Sequence, residues 1–154
     1  MDSDTPLPFR LEIPDDDSLG LSGLRSVSYT VDGLLHLGND TLTFEWVARR
    51  HVESIGFTGV KKEVDESPVG REEVSRHLIM RARLRGWWWA PRLDLYSRQL
   101  DTFDRIPGTK GSVLTLLLRR HDRALAAAVV RAIEAMPSAP PPRPPRLPEI
   151  EGTG

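Results

Sequence analysis

The sequence predicts a mostly β domain closed by one C-terminal α-helix. Three observations carry that reading. Apolar and polar residues alternate with a period of two between Val27 and Trp46, the pattern of half-buried strands. Gly, Asn, Asp and Pro punctuate these stretches at short intervals, as turns require. Only the segment from Arg123 to Met136 carries helical spacing, and Pro137 follows it.

Taken in order, residues 1–20 read as a loose acidic leader, with three prolines, the run Asp15-Asp16-Asp17 and no sustained periodicity. Ser18 to Gly23 reads as a turn. Val27, Tyr29, Val31, Leu35 and Leu37 then form one apolar face, and Leu42, Phe44 and Trp46 a second, across Gly38-Asn39-Asp40. That is a β-hairpin, because Gly and Asn tolerate the positive φ of a tight turn. Residues 48–73 are more polar and read as a β-excursion or long hairpin ending at Ser67-Pro68-Val69-Gly70. Met80, Ala82 and Leu84 alternate with Arg81, Arg83 and Arg85 up to Gly86. Trp87-Trp88-Trp89 follows, then Pro91 at an edge or bulge and the apolar pair Leu93 and Leu95. Gln99–Lys110 is a connection turning at Ile106-Pro107-Gly108. The run Val113–Leu118, apolar except for Thr115, predicts a strand buried on both faces. Asp122 is placed to cap the helix. Leu125, Val129, Ala132, Ile133 and Met136 share its apolar face. Proline stops it.

The domain therefore spans residues 21–136, with the helix at about 122–136. The tail, 137–154, holds seven of the 13 prolines and favours an extended polyproline path or disorder. Its Pro-x-x-Pro spacing with flanking arginine is like that of an SH3 ligand, and a flexible linker or solubilising tail is the favoured reading.

Composition narrows the function classes. The chain has 154 residues, enough for one core. It has no cysteine, which removes disulfides, thiolate catalysis and Cys-based metal sites. No apolar run approaches the ~20 residues that span a bilayer, and the amino terminus is acidic rather than signal-like. A cytoplasmic location is expected, with peripheral attachment to the membrane as a variant of it. The net charge of −1 conceals a split. Residues 1–75 carry 7 basic and 15 acidic side chains, and residues 76–131 carry 12 and 4. Such polarity suits either contact between the halves or a basic face for an anionic partner.

The candidate interaction surface is Arg81, Arg83, Arg85, Trp87, Trp88, Trp89 and Arg92. Tryptophan offers a large contact area with a polar handle. On a strand the three indoles would alternate, and core packing would take two of them. Arg81, Arg83 and Arg85 would share one face, able to meet phosphate or to stand solvated with cation–π contacts. His36, His51, His77 and His121 show no ligand spacing, and Asp15–Asp17 lacks the calcium-loop pattern. No metal or cofactor is expected. Asp94, Asp101 and Asp104 select no catalytic pair, and no nucleophile, phosphate-loop or dinucleotide motif occurs. The chain reads as a non-enzyme.

The order of elements resembles the pleckstrin-homology-like (PH-like) superfold, including its small bacterial members. The residues that carry the likeness are Gly33–Leu37, Thr41–Trp46, Ala82–Trp88, Arg92–Leu95, Val113–Leu118 and the helix Arg123–Met136. They fall within residues 24–136. The resemblance implies a bent antiparallel β-barrel or sandwich of about seven strands, capped by the C-terminal helix. It implies binding of peptides, proteins or phosphoinositides rather than catalysis. Lipid-binding members place a basic pocket at the loop between the first two strands. Here that loop reads as Gly38-Asn39-Asp40, which lacks Lys and Arg.

The expected function is thus a non-enzymatic binding or scaffold module that engages a protein partner or itself, through an exposed strand edge or the tryptophan–arginine surface. An anionic membrane lipid held by the basic half is the alternative, and a small enzyme of unrecognised type comes third. Nucleic acid is not expected as a partner.

Overall fold

The computed structural model describes residues 5–13, 25–109 and 111–135. Its elements are β1 (Leu7–Glu12), β2 (Arg25–Leu37), β3 (Thr41–Gly56), β4 (Gly59–Glu66), β5 (Gly70–Ser75), β6 (Ile79–Arg85), β7 (Arg92–Ser97), β8 (Val113–Leu117) and α1 (Arg123–Glu134). Short 3-10 turns at Arg76–Leu78 and Arg120–Asp122 lead into β6 and α1. Every strand pairing is antiparallel. The sheet runs β4-β3-β2-β1-β8-β7-β6, with β5 also beside β3. The fold class read from sequence holds: a mostly β antiparallel sheet with one C-terminal helix. The sheet is not closed.

β4 and β5 behave as one interrupted strand. β5 pairs with Thr41–Trp46 and β4 with Arg49–Gly56, and the register advances by one residue between them. Ser67-Pro68-Val69 absorbs that extra residue as a bulge. There the Ala48 N–H donates to Ser67 Oγ at 3.0 Å, and the Ser67 N–H to the Ala48 carbonyl at 2.8 Å. The polar excursion expected over 48–73 is thus a long hairpin, turning at Phe57-Thr58.

The amino terminus departs from the expectation. Residues 7–12, expected within a flexible leader, form β1, antiparallel to β2 from Leu7↔Leu35 to Glu12↔Thr30. Leu7, Phe9 and Leu11 alternate with Pro8, Arg10 and Glu12, and all three enter the core. Pro8 hid the pattern. It is tolerated because β8 meets β1 only at Arg10↔Leu117, so at Pro8 the strand has a free side. The Asp15–Asp17 run and the tail 137–154 lie outside the described residues.

One row crosses β1, β2, β3 and β5: Phe9↔Gly33↔Trp46↔Gly70. Aromatic rings and glycines alternate along it. A Cβ at Gly33 would lie 2.5 Å from the Glu45 carbonyl oxygen and within the Phe9 ring, and one at Gly70 would meet the Trp46 indole. Each ring therefore covers a neighbouring glycine, and the two glycines exist for that close approach.

A single core draws on β1, β2, β3, β5, β6, β7, β8 and α1, so the sheet bends around it. Phe103 and Ile106 of the connection after β7 complete it, both fully buried. Phe44 holds Phe9 and Phe103 edge-on at 6.2 and 6.4 Å. α1 packs against β6 and buries Ala126, Val129 and Ile133, with Leu125 half-buried. Arg76 fastens its far end. The guanidinium donates to the carbonyls of Gly38 at 3.1 Å and Asn39 at 2.9 Å, and to Ala132 in the last helical turn. Those terminal carbonyls have no intrahelical donor.

Three finer expectations change. Asp122 occupies the capping position but makes no capping hydrogen bond. The run Val113–Leu118 is apolar apart from Thr115, yet burial alternates along β8, so only one face meets the core. Met80 leaves the Ala82–Leu84 face, because it is the extra residue of a bulge between Ile79 and Arg81, and it is exposed.

Candidate functional site: the tryptophan–arginine surface

The three tryptophans lie in the loop joining β6 to β7. Gly86 ends β6 with φ at 87°, where an added Cβ would strike the Ala90 carbonyl. The Ala90 N–H returns to the Trp87 carbonyl at 3.1 Å and closes the turn. Strand alternation therefore does not apply. Trp87, Trp88 and Trp89 are 70%, 53% and 56% exposed, which corrects the expectation that the core would take two of them.

The indoles pack on one another. Trp87 and Trp89 stack at 5.1 Å with 15° between planes, and Trp88 meets Trp89 edge-on at 5.5 Å. Arg120 lies over Trp88, its guanidinium carbon 3.9 Å from the ring centroid. This cation–π contact fixes the indole from a position 32 residues away in sequence. The reason is the register of β7 and β8. Arg92 pairs with Leu117, and the Leu118 N–H donates to the Pro91 carbonyl at 3.0 Å. The chain leaving β8 thus arrives beside the tryptophan loop. No local spacing in the sequence signals Arg120.

Arg81, Arg83 and Arg85 do share one face of β6, and all three are exposed. Arg85 pairs with Arg92 across the strands and bonds through Nε to Asp94 Oδ2 at 2.9 Å. Asp94 is only 3% exposed and also accepts from Thr115 Oγ1 at 2.9 Å. That carboxylate holds Arg85 at the foot of the loop. Arg81, Arg83 and Arg92 make no ion pair among the described residues. The acidic half differs, since most of its cations are matched. Asp32 takes Arg10 at 2.9 Å and Arg49 at 3.4 Å, Glu66 takes Arg49 at 3.1 Å, and Glu73 takes Arg71 at 2.9 Å. Among the unpaired cations, Arg81, Arg83 and Arg92 lie on the two strands that the tryptophan loop joins, and Arg120 lies over Trp88.

A groove of about 620 Å³ runs from Leu117, Leu118 and Arg119 toward Arg10, Asp32 and Arg49. It begins one residue from Arg120. Among the described residues no three His, Asp or Glu side chains gather as a metal site, and no helix is long and apolar enough to cross a membrane.

Fold and site together define an open antiparallel β domain with one C-terminal helix, carrying an exposed tryptophan cluster with Arg120 over one indole. No family model, curated protein or solved structure matches the chain.

Proposed function

We propose that this chain is a non-enzymatic binding module of PH-like type that engages a protein partner through the Trp87–Trp89 platform. One observation carries the reading: three neighbouring indoles are more than half exposed, stack on one another, and one of them is covered by Arg120. Aromatic side chains held rigid at a surface lose little entropy on docking, and Trp with Arg dominates interface hot spots. The fitting partner presents an apolar anchor flanked by acidic residues, which Arg81, Arg83 and Arg92 would meet.

The PH-like reading is supported by topology. Counted with β4 and β5 as one bulged strand, the sheet is a four-strand meander followed by a three-strand meander and a helix. With β1 in place, the turn Gly38–Asp40 is the second turn rather than the first. Its lack of basic residues therefore does not bear on a first-loop pocket.

The test is capture from the source cells with the full chain against Trp88→Ala and Arg120→Ala. The reading requires a protein that the wild type retains and both variants lose. Identical captured sets would overturn it. A second reading, anionic lipid, rests on the unpaired Arg81, Arg83 and Arg92. It requires salt-sensitive binding to phosphatidylserine vesicles with a blue shift of the tryptophan emission, and no binding at low ionic strength would end it.

A further inference from the structure

The outer edge of β4 is unprotected among the described residues. All eight residues, Gly59–Glu66, are exposed, and β4 ends the sheet with β3 on one side only. Around it stand Ile55, Val60 and Val64, each more than half exposed, and Phe57, fully exposed at the hairpin turn. An edge with apolar side chains is a template for another strand. It lies outside the tryptophan–arginine surface.

We infer that β4 pairs with β4 of a second copy of this chain, antiparallel about a two-fold axis at Lys62. A symmetric antiparallel pair keeps the same sheet face up in both copies, so residues of like parity oppose each other. The sequence Gly-Val-Lys-Lys-Glu-Val-Asp-Glu selects one such register. With the axis at Lys62, Val60 faces Val64 of the second copy, twice. Lys61 faces Glu63 of the second copy, also twice, on the opposite sheet face. Lys62 opposes its own copy on the axis, but each Lys62 stands 3.5 Å from its own Glu53, so the row alternates in sign at its ends. Phe57 falls opposite Ser67 of the second copy, next to its exposed Val69. Moving the axis by one residue opposes Lys61 to Lys61 or Glu63 to Glu63 and sets Val60 against a charge.

Lysines on an edge strand ordinarily repel a second strand. Here each Lys61 is answered by Glu63 of the second copy; with the axis at Glu63 it would meet Asp65 instead, but Val60 would then face Glu66 and Glu63 its own copy. The pairing uses each β4 edge once, so it stops at a dimer.

Lys61 and Glu63 have no ion-pair partner within the chain among the described residues, so reversing either charge leaves the monomer fold intact. The experiment is sedimentation velocity of the full chain over a concentration series, with thermal melts as the fold control. The wild type is expected to dimerise with concentration. Lys61→Glu alone and Glu63→Lys alone each create two like-charge pairs and are expected to weaken the dimer roughly tenfold or more. Mixed in equal amounts, the two variants regain complementary pairs and form a heterodimer. A wild type that stays monomeric, single variants that dimerise like the wild type, or a mixture that stays monomeric would each overturn the inference.

Discussion

Gly33→Ala tests the packing logic of the sheet. In most strands Ala is better than Gly by about 0.5–1 kcal/mol, because Gly loses more backbone entropy on folding. The row Phe9–Gly33–Trp46–Gly70 reverses that sign. The new Cβ would meet the Glu45 carbonyl oxygen at 2.5 Å and the Phe9 ring Cε2 at 2.8 Å. The carbonyl belongs to β3, held between β2 and β5 at this level, and Phe9 is buried against Phe44. Neither can retreat by the ångström or so required, and overpacking of this kind costs about 3 kcal/mol. In a domain of this size that is a fall in Tm of roughly 10 °C. The assay is urea unfolding followed by circular dichroism, with an unchanged m-value showing that stability alone moved. Gly70→Ala meets only the half-buried Trp46 indole, so it should cost about 1 kcal/mol, within the lower range of overpacking penalties. That penalty should vanish in a Trp46→Ala background. A Gly33→Ala protein as stable as wild type, or more so, would refute the ring-over-glycine account.

Other outcomes follow from single residues. Phe103→Ala should lose about 3–4 kcal/mol, since the ring is fully buried against Phe44 from a connection that has no strand of its own; denaturant unfolding reads it. Arg76→Met should leave the sheet folded but release the end of α1, because it removes the hydrogen bonds that join Ala132 to the Gly38–Asn39 turn. Hydrogen exchange in α1 should then quicken while exchange in β2 and β3 stays slow. Asp94→Asn should loosen the tryptophan loop by weakening the bond that holds Arg85, giving easier acrylamide quenching of the indoles at nearly unchanged Tm.

The parts of the fold legible in the sequence were those where one local rule acts without competition. The β2–β3 hairpin showed because alternation continues to a Gly-Asn-Asp turn, and α1 showed because its spacing ends at a proline. β1 was hidden because only six residues alternate and Pro8 interrupts them, although Leu7, Phe9 and Leu11 carry the core face. Phe103 and Ile106 were hidden for a different reason: a connection buries side chains by three-dimensional position, not by period. In the candidate site, the tryptophans and Arg81, Arg83, Arg85 and Arg92 could be named from sequence. Their exposure could not, because it depends on Gly86 turning the chain out of the strand. Arg120 depends on the β7–β8 register, which no local spacing encodes.

The platform is the centre of the account, and one measurement meets it directly. A captured partner, once purified, is titrated by calorimetry against wild type and Trp88→Ala, each shown by its thermal melt to be folded. A hot-spot tryptophan contributes at least about 2 kcal/mol, so Trp88→Ala should weaken binding about thirtyfold with Tm unchanged. Affinity within twofold of wild type would contradict the assignment of this surface as the binding site.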